Sequence, residues 1–272
     1  MGTRDELELA FHAAGLASDL ALAHFRAGVS ATAKADGSPV TEADRAVERL
    51  LRDTLSQARP GDAFLGEELG RLGRSDRVWV LDPIDGTGFF ARGDAHWRIH
   101  IALEVRGVTE LGVVAAPALG RCWWATRGGG AFESSWPAGT GPATPLTVST
   151  TSALADAVVD DLGGTSAGHL PTGVSRAPAS PLPLVELVRG EIDAFVAERY
   201  FAWDHAPWIL IVQEAGGRFT DPTGGHASDR GGGVYSNARL HGALLAALGY
   251  PTADRLPENR SAPDHSAGGA QP

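Results

Sequence analysis

The chain has 272 residues, 43% hydrophobic and 21% charged, with a formal net charge of -10. That length can bury a substantial core as one large domain or two small ones, and no apolar run is long enough to span a bilayer, which excludes an integral helical membrane protein. The acidity argues against nucleic-acid and membrane partners but not against small phosphorylated molecules, because bound divalent cations reverse the local field.

Taken in chain order, Leu9, Ala13, Leu16, Ala17, Leu20 and Phe25 recur at helical spacing and predict an amphipathic helix over 5–26. The acidic start "MGTRDELELAF" lacks a basic stretch followed by an apolar core, so a cytoplasmic protein is expected. After a polar loop at 34–40, Thr41 is placed to cap a second helix carrying Val47, Leu50, Leu51 and Leu55. "GDAFLGEELG" at 61–70 ends in acid and glycine. Strands are then expected at 78–82, at 97–105 and 109–116 around an Arg106-Gly107 turn, and at 121–125. The lone Cys122, in the last of these, excludes an internal disulfide and a cysteine zinc site.

From 126 to 183 Gly, Ser, Thr, Pro and Ala dominate, with "PLTVST" and "DAVVDDL" the only strand-like pieces and a domain junction expected near 137–145. A short helix in 181–190 and a strand at 192–197 lead to the apolar helix "WDHAPWILIVQEAGG", whose closing glycine pair suits a helix C-terminus. Strands at 218–221 and 232–237 and a helix in 238–249 complete this half, and the apolar-poor residues 257–272 are expected to be a disordered tail. Pattern alone therefore predicts mixed α and β, with halves at 1–140 and 141–256.

Three acidic stations fall at the ends of regular elements: Glu67-Glu68, Asp82 with Asp85 in "LDPIDGT", and Asp204 in "WDHAP". Each has a plain structural reading. Asp-Pro and Asp-Gly pairs form turns, Glu67 and Glu68 can face solvent, Asp204 can cap its helix with Pro207 in the first turn, and Asp44 can sit in the first turn behind Thr41. Together they offer hard oxygen donors that one crevice could gather around Mg²⁺, Mn²⁺ or Ca²⁺. "DPIDGT" does not match a calcium loop, since Ile84 and Gly86 fall where ligands belong, and neither glycine-rich run ends in the Gly-Lys-Ser/Thr of a P-loop. His96 and His100 sit in a strand pattern that separates them by about 13 Å, too far for a paired metal site.

"GEE" at 66–68, "WVLDPIDGT" at 79–87, "GVVAAPALGRCWWATRGGGAF" at 112–132 and "WDHAPWILIVQEAGG" at 203–217 occur together and in this order. On these motifs the chain, over about residues 5–250, resembles the inositol monophosphatase superfamily of metal-dependent phosphatases. The resemblance implies an α+β fold layered as an αβαβα sandwich, with the main metal ligands in the N-terminal half and Asp204 and substrate contacts in the C-terminal half. It implies that Glu67, Asp82, the Ile84 carbonyl, Asp85 and Asp204 hold two or three Mg²⁺ ions, with Mn²⁺ an alternative. It further implies that Asp44, Thr87 and Glu67 serve catalysis, Thr87 with Asp44 orienting the attacking water and the capping role of Asp44 becoming secondary. Backbone N–H groups at Gly86 and Thr87 are expected to bind phosphate. Asp85, Asp204 and, as the nearest acid before the WD motif, Glu198 are expected to contact the substrate.

Haloacid-dehalogenase-type phosphatases carry D-x-D-G-T, but the extra residue of "DPIDGT" redirects the second carboxylate, and that chemistry has no use for the GEE and WD stations. Two segments depart from the usual pattern of the superfamily: Gly88-Phe89-Phe90 and His205-Ala206-Pro207-Trp208, where Trp208 is expected to narrow the pocket. The runs "SPVTEADRAVE", "RPGDAFLGEELG" and "APALGRCWWATRGGGAF" look most like its histidinol-phosphate phosphatases, and a cationic substrate would suit an acidic pocket holding Glu198 and Asp94. The expected reaction is Mg²⁺-dependent hydrolysis of histidinol phosphate, with inositol 1-phosphate or another small metabolite as the alternative, and a catalytically silent regulatory relative as the alternative of another class. Relatives are often homodimers, and a homodimer is the one protein partner expected.

Overall fold

A computed structural model describes residues 3–28, 32–33, 39–138, 141–161, 170, 174–198 and 200–251. Most of the polar loop at 34–40 and the whole tail at 257–272 lie outside the described residues. Helix α1 (Thr3–Ala27) is followed by a small pair, β1 (Thr32–Ala33) with β2 (Pro39–Val40), and by α2 (Glu42–Ala58). Then come β3 (Ala63–Gly66), β4 (Gly70–Leu72), β5 (Arg77–Asp85), the single-turn α3 (Thr87–Ala91), β6 (Arg98–Val105), β7 (Val108–Ala116), β8 (Arg121–Thr126), β9 (Gly130–Ser135) and β10 (Thr144–Pro145). The remainder is β11 (Val158–Asp160), β12 (Ser175–Arg176), α4 (Pro183–Val188), β13 (Ala194–Glu198), α5 (Ala202–Glu214), β14 (Gly217–Thr220), β15 (Gly232–Asn237) and α6 (His241–Leu248).

Among the described residues, eight strands form one sheet in the order β10-β9-β8-β7-β6-β5-β3-β4, and five form a second, β12-β11-β13-β15-β14. Alternation along the strands of the first sheet sorts its side chains between two layers. Trp79, Leu81, Ile99, Ile101, Leu111 and Val113 pack with Val47, Leu51 and Leu55 of α2 and the alanine stripe of α1, Ala10 to Ala21. The opposite face packs on α4 and α5, which in turn bury the inner face of the second sheet through Phe195, Phe219 and Tyr235. Helix α6 closes the outer face with Leu244 and Leu245. The result is the expected αβαβα sandwich, each fully buried large apolar side chain stabilising it by roughly 1.5–3 kcal/mol.

The first sheet runs on through β10 and the second begins at β11, so the change of sheet falls at 146–157, beyond the junction expected at 137–145. Strands β3, β4 and β9 were not predicted; "GAFESS" in β9 is weakly apolar and owes its pairing to β8. Of "PLTVST" Pro145 alone lies within a strand, and Leu146 and Val148 donate their N–H groups to the Ala131 and Ala215 carbonyls.

Candidate active site

The site begins with an irregularity. Strict alternation would place Asp82 and Asp85 on opposite faces of β5, but the register with β6 runs Asp82 to His100 and Asp85 to Arg98, three residues against two. The extra residue is a β-bulge across Pro83-Ile84, and it returns Asp85 to the face of Asp82. "DPID" is thus the bulged end of a strand rather than a turn; the chain turns at Gly86, whose φ of 82° lies in the left-handed region. Because Arg98 and His100 are two apart on β6, they occupy that same face.

Helix α5 brings the third station. Gly112 of β7 lets it approach closely, since a Cβ there would lie 2.7 Å from the Pro207 oxygen and 2.8 Å from its Cα. Asp204 accepts the Phe201 N–H at 2.7 Å, so it caps as the third residue of α5 rather than as its N-cap. Carboxylate oxygens of Asp82, Asp85 and Asp204 come within 4.8 Å of one another. Glu67, immediately after β3, donates its N–H to the Leu81 carbonyl at 3.2 Å and interacts with Asp82 through a side-chain hydrogen bond.

Asp44 serves two roles at once. Its Oδ2 accepts the N–H and hydroxyl of Thr41 at 2.8 and 2.6 Å, completing the cap of α2, while Oδ1 faces the Thr87 hydroxyl at 3.1 Å. The capping role expected to be secondary is therefore fully formed. Thr87 lies 3.1 Å from the Ile84 carbonyl as well, and its single proton goes best to the carboxylate, the stronger acceptor.

Burial, followed by Glu67, Asp85 and Asp204, pushes the Asp82 carboxyl well above the usual range. Burial and then Asp85 raise Asp204 to about 7 against the Phe201 N–H. Burial alone would raise Asp85 too, but Arg98 and then His100 outweigh it and hold it below the usual range. Burial lowers His100 to about 4, so at neutral pH Arg98 is the charged partner that counts. Arg98 donates Nε to Asp85 Oδ2 at 2.6 Å, pairs with it through Nη2, and donates Nη1 to the Pro181 carbonyl at 2.8 Å. Three crowded carboxyls, one buried and two half-buried, that cannot all ionise unaided, all oxygen donors, fit a hard divalent cation.

Sequence reasoning missed Arg98 and His100 as site residues, whose placement follows from strand register, and Tyr200 as their neighbour, whereas Trp208 was expected beside the pocket. With Asp85, Asp204 and Leu182–Val185 these line a cavity of about 30 Å³. Glu198 is exposed at the end of β13 and is not among the residues lining that cavity, while Asp94 accepts the N–H of the half-buried His96. Phe90 of the departing "GFF" is core, tilted against Phe25 at 5.4 Å and edge-on to Trp97 at 5.0 Å, and Phe89 carries Arg92 over its ring. Pro207 is the sixth residue of α5, in the helix interior rather than the first turn.

The profile of the inositol monophosphatase family matches residues 4–251. The chain belongs to that family. It is 39% identical to the histidinol-phosphatase of Mycobacterium tuberculosis, over 90% of this chain and 98% of that one. It is equally 39% identical to a Streptomyces griseus protein named glucose-1-phosphate thymidylyltransferase, over 85% of this chain and 91% of that one. The structure of Thermotoga maritima IMPase superposes with a TM-score of 0.77 at 29% identity, over 90% of this chain and 97% of that one. This inositol monophosphatase family member is a phosphatase of a metal-dependent group, and no helix among its described residues is long and apolar enough to cross a membrane.

Proposed function

We propose that the protein is a Mg²⁺- or Mn²⁺-dependent phosphomonoesterase whose preferred substrate is histidinol phosphate. The observation that carries the metal-dependent reading is the meeting of Asp82, Asp85 and Asp204 within 4.8 Å, beside the Thr87–Asp44 pair. Glu67, Asp82, the Ile84 carbonyl, Asp85 and Asp204 are the residues that would hold the ions. A bound divalent cation neutralises phosphate charge and lowers the pKa of water. Asp44 draws the Thr87 proton, leaving the Thr87 oxygen free to accept from the attacking water and aim it at phosphorus. Backbone N–H groups at Gly86 and Thr87 are offered to the phosphate oxygens. Water adds to phosphorus and the alkoxide leaves with a proton, giving alcohol and inorganic phosphate.

The choice of histidinol phosphate is supported by the 39% identical histidinol-phosphatase, of which the chain covers 98%, and by an acidic chain of net charge -10 that favours a cationic organic part. The test is phosphate release from histidinol phosphate, inositol 1-phosphate, glucose 1-phosphate, fructose 1,6-bisphosphate and adenosine 3′,5′-bisphosphate, each with and without Mg²⁺. The highest kcat/KM is expected for histidinol phosphate; a higher value for any other substrate overturns the choice, and no metal-dependent release from any of them overturns the phosphatase reading itself. A parallel incubation of glucose 1-phosphate with dTTP checks for nucleotidyl transfer.

A further inference from the structure

His100 is 1% exposed, and its Nε2 is buried with no hydrogen-bond partner. Its other nitrogen, Nδ1, lies 3.3 Å from the Trp203 carbonyl. A carbonyl only accepts, so Nδ1 carries the proton. That carbonyl is available for a reason visible in the sequence: four residues on stands Pro207, which has no N–H to return to it. The proline inside α5 thus selects the His100 tautomer. Trp208, edge-on to the imidazole at 6.3 Å and 85°, fixes the plane of the ring.

The remaining lone pair on Nε2 faces Asp85 Oδ2 at 3.3 Å. Arg98 donates to that same Oδ2, whereas the buried Nε2 lone pair has no donor of its own and is open to a cation beside it. Cis donors on one cation with bonds of about 2.1 Å sit roughly 3 Å apart, close to this spacing. Asp85, Arg98, His100, Tyr200, Asp204 and Trp208 surround a cavity of about 30 Å³, enough for a single ion or water. Because Arg98 already balances Asp85, an uncharged nitrogen adds a donor without adding repulsion.

We propose that His100 Nε2 is a nitrogen ligand to the cation held by Asp85 and Asp204, which makes this end of the site a mixed nitrogen–oxygen centre. The inference rests on the metal-dependent reading above and goes beyond it, since every ligand named there is an oxygen. Imidazole shifts preference from Mg²⁺ towards Mn²⁺ and other transition metals. The cation choice of this protein is then set by a residue on β6, outside the acidic motifs, and by the proline that closes the WDHAP segment on α5.

The test is Mn²⁺ binding to the full-length protein followed by pulsed electron paramagnetic resonance. A directly bound imidazole nitrogen is expected, converting to the ¹⁵N pattern on histidine labelling, lost in His100→Gln and retained in His205→Gln. Mn²⁺ affinity should fall about 10- to 100-fold in His100→Gln while that for Mg²⁺ changes by less than about threefold. Should His100→Gln not fold, Pro207→Ala serves: the restored N–H competes for the Trp203 carbonyl, and the nitrogen coupling should weaken. Bound Mn²⁺ without histidine nitrogen coupling, or coupling untouched by both variants, overturns the proposal while leaving a Mg²⁺-dependent phosphatase intact. Failure to bind Mn²⁺ overturns the proposal, and failure to bind Mg²⁺ as well overturns the metal-dependent reading on which it rests.

Discussion

Two buried carboxyl groups in the first half of the molecule live in opposite circumstances. Glu48, on α2, is 0% exposed, and it is saturated: Oε2 accepts the Glu68 N–H at 2.7 Å, Leu69 N–H approaches at 3.3 Å, and Arg52 pairs with Oε1 at 2.6 Å. A Cβ on Gly66 would lie 2.0 Å from that Oε1, so the glycine of "GEE" is there to admit Glu48. Asp82 is 1% exposed, and its surroundings are chiefly other acids, with only the Ile84 N–H at 3.1 Å as a backbone donor. Equal burial therefore carries opposite meanings. A carboxylate whose acceptors are filled from its own chain is structural and holds the loop that delivers Glu67; one left facing its own kind is waiting for charge from outside the chain.

Exchanging the acids' carboxylates should separate the two roles. In Asp82→Asn we expect turnover to fall by about 10³-fold or more, the scale of losing a main electrostatic contact to the transition state, while the metal-free Tm holds or rises because repulsion is relieved. A loss of Tm matching that of Glu48 variants would erase the contrast. Glu48→Ala strands Arg52 and two backbone donors and should cost about 3–5 kcal/mol, or about 6–20 °C in Tm by thermal unfolding. A stable but inactive Glu48→Ala would mean that Glu48 acts in chemistry.

A smaller effect is expected where chemistry and capping share a residue. Thr87→Val removes the hydroxyl that faces Asp44 but leaves the cap of α2 intact, so kcat should drop about 10²-fold with Tm almost unchanged. Unaltered kcat would remove Thr87 from the water-orienting pair. The gentlest test is pH. Asp204 titrates at about 7 in the folded, metal-free protein against an ordinary value of 3.8, so between these limits the folded state binds more protons than the unfolded. Stability in EDTA should then be greatest below about pH 4 as far as this group is concerned, and should fall as pH rises through about 7, with saturating Mn²⁺ cancelling the fall. A Tm in EDTA that rises across this window would contradict the unpaired acidic cluster.

Much of the architecture was legible because it is local. Thr41 announces α2, apolar spacing marks α1, and the β-branched runs of β5 to β7 mark strands before any contact is known. The acidic stations were legible too, as residue types at element ends. Arg98 and His100 were not, because nothing near them in the chain says which way they face: that depends on cross-strand register and on one extra residue at Pro83-Ile84. The exclusion of His96 with His100 as a metal pair rested on their spacing along a strand and said nothing of either residue's partners elsewhere. Trp208 was read as pocket-narrowing, and the structure gives it that position together with a contact that orients His100.

By itself, the sequence determined the donor atoms, the helix cap at Thr41 and the missing N–H of Pro207, since each is a property of one residue or its near neighbours. Only the tertiary structure decided that Asp82, Asp85, Arg98 and His100 share one face and that the carbonyl freed by Pro207 lies within reach of an imidazole. Side-chain facing in a sheet changes with each single-residue shift, and the meeting of β6 with α5 is made by packing across about a hundred residues of chain, which no local pattern encodes.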